Sequence, residues 1–146
     1  MKTHISLPTR DLSASVAFYR TLLDSPPAKH YDDYALFVAE RPGLELALAP
    51  SSHARPDPSA HFGIAVEDAD AVNKAVARLQ SAGLPVDVET EKICCYARQS
   101  KVWSTDPDGR RWEVYYVIEE TEQAMDTDSP CCANDTGANS PRNCCA

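Results

Sequence analysis

Two short runs of this chain alternate apolar and polar residues, and each leads into a stretch of helical periodicity. His4-Ile-Ser-Leu-Pro-Thr-Arg-Asp11 aligns without gaps on His61-Phe-Gly-Ile-Ala-Val-Glu-Asp68. Such alternation predicts a half-buried strand, and the closing aspartate predicts a helix N-cap. The first helix then carries Leu12, Val16, Tyr19 and Leu23 on one stripe, and the second carries Ala69, Val72, Val76 and Leu79. Pro26-Pro27 stops the first helix, and Gly83 with Pro85 stops the second.

Strand-like runs follow each helix. In the first half they span 34–39 and 44–49, joined by Arg41-Pro42-Gly43; in the second they span 85–88, 101–105 and 111–118. Asp106-Pro107-Asp108-Gly109 is a strong hairpin signal before the last of them. The pattern predicts an α+β fold of two tandem βαβββ modules forming a cupped mixed sheet. Module 1 covers about residues 1–50, a proline- and serine-rich linker covers 51–59, and module 2 covers about 60–118. Glu45 and Glu113 correspond in the two copies, but at an offset larger than that of the helices by about a dozen residues. Module 2 therefore has an insertion, a loop or hairpin containing Ile93-Cys94-Cys95-Tyr96.

Beyond Ile118 the branched and aromatic residues run out. Residues 119–146 hold six acids and one base, so most of the chain's net charge of -8 lies in this tail. Too little apolar surface is present there to offset ordering entropy, and the tail is expected to be disordered. The acidic balance argues against nucleic-acid binding. No run is long and apolar enough to cross a membrane, and no secretory leader opens the sequence. A reducing cytoplasm is the expected setting, for a monomer or a homodimer.

Alternation also sorts the polar strand residues. His4 and Ser6 lie opposite Ile5 and Leu7; His61, Gly63 and Ala65 lie opposite Phe62, Ile64 and Val66; Glu113 and Tyr115 lie opposite Trp112, Val114 and Tyr116. Three concave faces would thus contribute His4, His61 and Glu113. Two imidazoles and one carboxylate with open positions suit an oxygen-activating non-haem iron(II) centre, and four-coordinate zinc with one water is the competing occupant. Glu45 is open between fourth ligand, neighbouring base and solvated surface acid.

All six cysteines occur as neighbours: Cys94-Cys95, Cys131-Cys132 and Cys144-Cys145. Cα atoms about 3.8 Å apart make a strained disulfide, whereas two thiolates on one short segment chelate a soft centre well. Cys94 and Cys95 are the candidate substrate grip. The four tail cysteines are accessory at most, as capture groups, in sequestration, or without a function. Arg98 and Lys101 lie close enough in sequence to lower thiol pKa values, with solvated surface charge as the equal alternative. Trp103 and Tyr115 would line a pocket for the substituent, although core packing is the stronger expectation for Trp103.

With His4, His61 and Glu113 in paired βαβββ halves, the chain resembles the vicinal oxygen chelate superfamily of glyoxalases, extradiol dioxygenases and bleomycin-resistance proteins. The stretch from Ile93-Cys-Cys-Tyr through Lys-Val-Trp to Trp112-Glu-Val-Tyr is similar to carbon–arsenic lyases and to cadmium-induced proteins. The resemblance covers roughly residues 2–118. It implies an iron(II)-dependent dioxygenase, using O2 as co-substrate, that cleaves trivalent organoarsenicals to arsenite in arsenic detoxification. By position it implies metal ligation by His4, His61 and Glu113, arsenic binding by Cys94 and Cys95, and no catalytic residue beyond the metal site. Two rival readings stay open: a non-enzymatic arsenic- or cadmium-binding resistance protein, and a zinc or nickel glyoxalase-like isomerase or thiol transferase.

Overall fold

The computed structural model describes residues 1–57 and 59–124. Ten elements follow in order: β1 (Thr3–Thr9), α1 (Leu12–Leu22), β2 (Lys29–Tyr31), β3 (Tyr34–Ala39), β4 (Leu44–Pro50), β5 (His61–Ala65), α2 (Ala69–Ser81), β6 (Asp87–Cys94), β7 (Ala97–Thr105) and β8 (Arg111–Glu120). This is βαβββ twice over. The two modules form two four-stranded sheets, ordered β1-β4-β3-β2 and β5-β8-β7-β6. In each, the first strand runs parallel to the last and the remaining pairs are antiparallel.

The local chemistry produces these elements as expected. Asp11 accepts from the Ala14 N–H and Asp68 from the Ala71 N–H, so both predicted caps form. Gly83, at φ 72°, carries the chain out of α2 in the left-handed region. Burial along β1 and β5 alternates as read: Leu7 and Ile64 are buried, while His4, Ser6, His61 and Gly63 are exposed.

Three boundaries differ from the expectation. Strand β2 was not foreseen, because Lys29-His-Tyr31 is short, exposed and lacks a run of apolar residues. The expected insertion is an extended hairpin: β6 and β7 run toward each other through residues 87–105, and only Cys95 and Tyr96 remain as the turn. Strand β8 continues to Glu120 because Glu119 and Glu120 pair with Arg98 and Ala97. The ordered chain therefore passes the boundary expected at Ile118. Of the tail expected to be disordered over 119–146, residues 119–124 are described, Glu119 and Glu120 as part of β8, and residues 125–146, with Cys131, Cys132, Cys144 and Cys145, lie outside the described residues.

One core serves both modules. Leu7, Phe18, Tyr19, Phe37, Leu46 and Leu48 of the first meet Ile64, Val72, Leu79, Val102, Trp112 and Val114 of the second. A buried polar cluster ties the modules together at the same level. The Tyr19 hydroxyl donates to Asp106 at 2.7 Å and accepts from the Trp112 indole at 3.2 Å. Arg110 meets the same Asp106 carboxylate at 3.0 Å and reaches the Pro8 carbonyl, while Arg10 reaches Asp108. Burial, and then the Asp106 charge, push the Tyr19 phenol far above its usual range, so it stays a donor. The Asp-Pro-Asp-Gly turn thus does more than reverse the chain. Its two carboxylates anchor module 2 to β1 and α1.

Candidate functional site

The residues facing away from the core supply the chemistry. In module 1, parallel pairing sets His4 beside Glu45, and His4 Nδ1 lies 3.7 Å from Glu45 Oε2. In module 2, β5 and β8 pair Gly63 with Glu113, and His61 Nε2 lies 3.6 Å from Glu113 Oε1. The duplication therefore yields two equivalent imidazole–carboxylate pairs. Ligands about 2.1 Å from a shared ion, the usual zinc–nitrogen length, stand roughly 3.0–3.5 Å apart at right-angled to tetrahedral geometry. Both observed separations lie near that bite and are longer than a hydrogen bond. The donor sets fit a divalent first-row metal.

The two pairs do not meet within one chain. Among the described residues, no group of three His, Cys, Asp or Glu side chains converges on one point. The reason is visible in the strands. Ile5 and Phe62 both pack against the common core, so alternation turns His4 and His61 away from it. Strands β1 and β5 are not hydrogen-bonded to each other; residues of both line a cavity of about 170 Å³. His61 and Glu113 are brought together, as are His4 and Glu45, but His4 does not join the module 2 pair.

The module 2 pair has a built surround. Lys101 Nζ holds Glu113 Oε2 at 2.8 Å, leaving Oε1 toward His61, and both partners are buried. The ammonium also lies over the Trp103 and Tyr115 rings, at 5.3 Å and 6.0 Å from their centres. Trp103 meets His61 edge to face at 5.2 Å, stacks under the Arg111 guanidinium at 4.2 Å, and donates its indole N–H to buried Glu89. A Cβ on Gly63 would stand 3.0 Å from the Tyr115 ring and 3.1 Å from Glu113 Oε1. The glycine keeps the carboxylate in place.

Lys101 holds Glu113 at 2.8 Å, and Arg98 pairs with Glu119 at 2.7 Å and with Glu91. Trp103 is buried, and it packs on the face that carries His61 and Glu113, outside the main hydrophobic core. Glu89 and Arg111 were not foreseen. Glu89 lies across from Lys101 in the β6–β7 pairing, a relation visible only once the register of the long hairpin is known.

Cys94 and Cys95 sit at the far end of that hairpin. Ala97, paired with Cys94, and Trp103, paired with Glu113, stand six residue steps apart along β7. That is about 20 Å of extended strand, so the chain does not set the cysteines beside its own His61–Glu113 pair. Irregular pairing between Glu89 and Lys92 and between Arg98 and Gln99 bends the arm between them. Cys94 is buried and Cys95 exposed, with their sulfurs 3.1 Å apart. Thiolate bonds of about 2.3 Å, the zinc value, would subtend about 85° at that separation. A two-thiol chelate requires both sulfurs in the reduced state. Cys95 and Tyr96 occupy the turn at φ 57° and 63°. A residue with a Cβ pays roughly 1–2 kcal/mol for the left-handed region, so this turn is held against its local preference.

Comparison with known proteins agrees with this architecture. The model of the glyoxalase/bleomycin resistance protein/dioxygenase superfamily matches residues 3–114. A protein of Thermomonospora curvata named trivalent organoarsenical cleaving enzyme is 37% identical over 149 residues, covering 99% of each chain. A cadmium-induced protein of Mycobacterium bovis is 37% identical, covering 83% of this chain and 79% of its own. The crystal structure of a glyoxalase/bleomycin resistance protein/dioxygenase from Alicyclobacillus acidocaldarius superposes with a TM-score of 0.65 at 22% identity, over 82% of this chain and 92% of that one. Two βαβββ modules with matching His–carboxylate pairs, and a family match spanning both, place the chain in the glyoxalase/bleomycin resistance protein/dioxygenase superfamily.

Proposed function

We propose that this protein is an iron(II)-dependent dioxygenase that cleaves the carbon–arsenic bond of trivalent organoarsenicals, such as methylarsenite and aromatic arsenicals, releasing arsenite. The observation that carries the reading is the Cys94–Cys95 turn, a soft-centre chelate carried by the same β6–β7 hairpin that buttresses the His61–Glu113 pair. Near-full-length similarity to proteins named trivalent organoarsenical cleaving enzyme supports the choice of substrate.

In this reading the reduced cysteines hold arsenic through sulfur and leave its carbon substituent free. Lys101 fixes the Glu113 carboxylate with Oε1 toward His61. Gly63 keeps that carboxylate unobstructed, and Trp103 and Tyr115 wall the face beside it. His4, His61 and Glu113, with Glu45 in reserve, would hold the iron, which when bound supplies oxygen activation. The protein orients the two reactants. With one dioxygen per bond, methylarsenite yields arsenite and formaldehyde in balance.

The separation of the two pairs within one chain favours completion by a second copy. A two-fold dimer would bring module 1 of each chain to module 2 of the other and form two equivalent sites.

The test is aerobic incubation of reduced protein with iron(II) and methylarsenite, with arsenic species separated and counted. Arsenite formation coupled to oxygen consumption is expected, and Cys94→Ser with Cys95→Ser should abolish it while iron remains bound. Arsenical binding without arsenite formation would leave a sequestration protein and end the enzyme reading.

A further inference from the structure

The turn that carries the cysteines is held by a part of the chain outside both modules as first delimited. Two-residue hairpin turns with positive φ at both positions favour Asn-Gly. Here they are Cys95 and Tyr96, and nothing in either side chain favours the left-handed region. Such a conformation persists only where its surroundings over-determine it.

The surroundings are the residues that end β8 and follow it. Glu119 and Glu120 pair with Arg98 and Ala97, the first residues of β7 after the turn. The Glu119 carboxylate grips Arg98 at 2.7 Å. Beyond the strand, the Thr121 N–H donates to the Tyr96 carbonyl at 2.7 Å. The Tyr96 N–H in turn donates to the Ala124 carbonyl at 3.5 Å. The Thr121 hydroxyl donates to the Gln123 carbonyl at 2.9 Å and closes the segment on itself. Both backbone groups of Tyr96 are thus used by residues 121–124.

We infer that residues 119–124 form a strap that positions the Cys94 and Cys95 thiols for a trivalent arsenical, with the Thr121 N–H as its main tie. The inference rests on the reading of these cysteines as the substrate grip. Without the strap the turn relaxes toward right-handed backbone angles, which swings the Cys95 Cβ and changes the direction of one sulfur. The thiols stay adjacent in sequence, so binding weakens without vanishing; what is lost is preorganisation.

The test uses the full-length chain with Cys131, Cys132, Cys144 and Cys145 changed to serine, so that only the hairpin thiols report. After reduction with a phosphine, phenylarsine oxide is titrated calorimetrically into this parent, into Thr121→Pro and into Thr121→Ala. Proline removes the N–H that Tyr96 accepts, and it suits an extended preceding residue such as Glu120. Thr121→Ala keeps the N–H and removes only the hydroxyl's bond to Gln123, so it should lose less than Thr121→Pro, which should bind at least about tenfold more weakly than the parent. Cobalt(II) affinity should be unchanged in both. Arg98→Gln, which loosens the strap without touching the backbone, should fall between and decides the matter if the proline variant is poorly folded. Equal affinity in the parent, Thr121→Pro and Arg98→Gln would overturn the strap and leave the grip standing. A parent no better than its own Cys94→Ser, Cys95→Ser derivative would overturn the grip, and the strap with it.

Discussion

Replacing Lys101 by methionine tests the metal reading without touching a proposed ligand. Lys101 is 2% exposed and its ammonium lies 2.8 Å from Glu113 Oε2. At an effective dielectric of 20, charges at that distance attract by roughly 6 kcal/mol. Methionine keeps the stem's packing and recovers the cost of burying the ammonium. It leaves the Glu113 carboxylate buried beside His61 without its closest cation. Removing one partner of a buried ion pair costs about 3–5 kcal/mol. In a domain of this size each kcal/mol moves the melting temperature by roughly 3–5 °C, so the metal-free variant should melt about 10–20 °C below the parent. A bound divalent ion would take over part of the lost compensation at Glu113. The deficit should therefore shrink when cobalt(II) or iron(II) is added anaerobically, by more than the metal stabilises the parent. Differential scanning calorimetry of both proteins, with and without metal, gives the four values needed. A deficit that metal leaves unchanged would refute the assignment of Glu113 as a ligand. A deficit below about 1 kcal/mol would refute the importance of the ion pair itself.

Two further outcomes follow from the same geometry. If the site forms between copies, co-expressed His4→Ala and His61→Ala chains should recover about one quarter of parental turnover. Half of the dimers are then mixed and each has one intact site; turnover no higher than that of either variant alone would place both histidines in a site within one chain. Acid should loosen the contact between modules. Burial opposes the charge on Asp108, but hydrogen bonds from Thr9 and Arg10 and the charge of Arg110 outweigh it and hold its carboxyl below the ordinary value. Its stabilising contribution is therefore fully present above the unfolded value of about 3.9 and is lost as pH falls through the lower folded value. Urea unfolding of the parent and Asp108→Asn at pH 3–7 should show a stability gap that is constant near neutrality and narrows below about pH 4. A gap that widens on acidification would contradict the sign of the shift.

The elements and their inward and outward faces were legible in the residues, because they depend on neighbours a few positions apart. Asp11 and Asp68 announce caps, and period-two alternation puts Ile5 and Phe62 inside and His4 and His61 outside. The repeat with its insertion marked Cys94–Cys95 as peculiar to module 2. What depends on long-range register was hidden. Glu89 meets Trp103 only once the irregularity between Glu89 and Lys92 has shifted the pairing of the β6–β7 hairpin, and Lys101 meets Glu113 through the register of β7 against β8. Acidic residues 119 and 120 look like the start of a solvated tail, yet Arg98 and the backbone of β7 recruit them into a strand.

The sequence by itself determined two βαβββ halves, a histidine and a glutamate at matching strand positions in each half, and a vicinal dithiol in one insertion. Only the tertiary structure decided that each histidine pairs with the carboxylate of its own module, 3.6 and 3.7 Å apart, and that the pairs stay separate within a chain. The physical reason is the shared core. Each sheet turns its apolar face to the same interior, through Phe37 and Leu46 in the first and Trp112 and Val114 in the second, and alternation then turns the His–carboxylate faces outward.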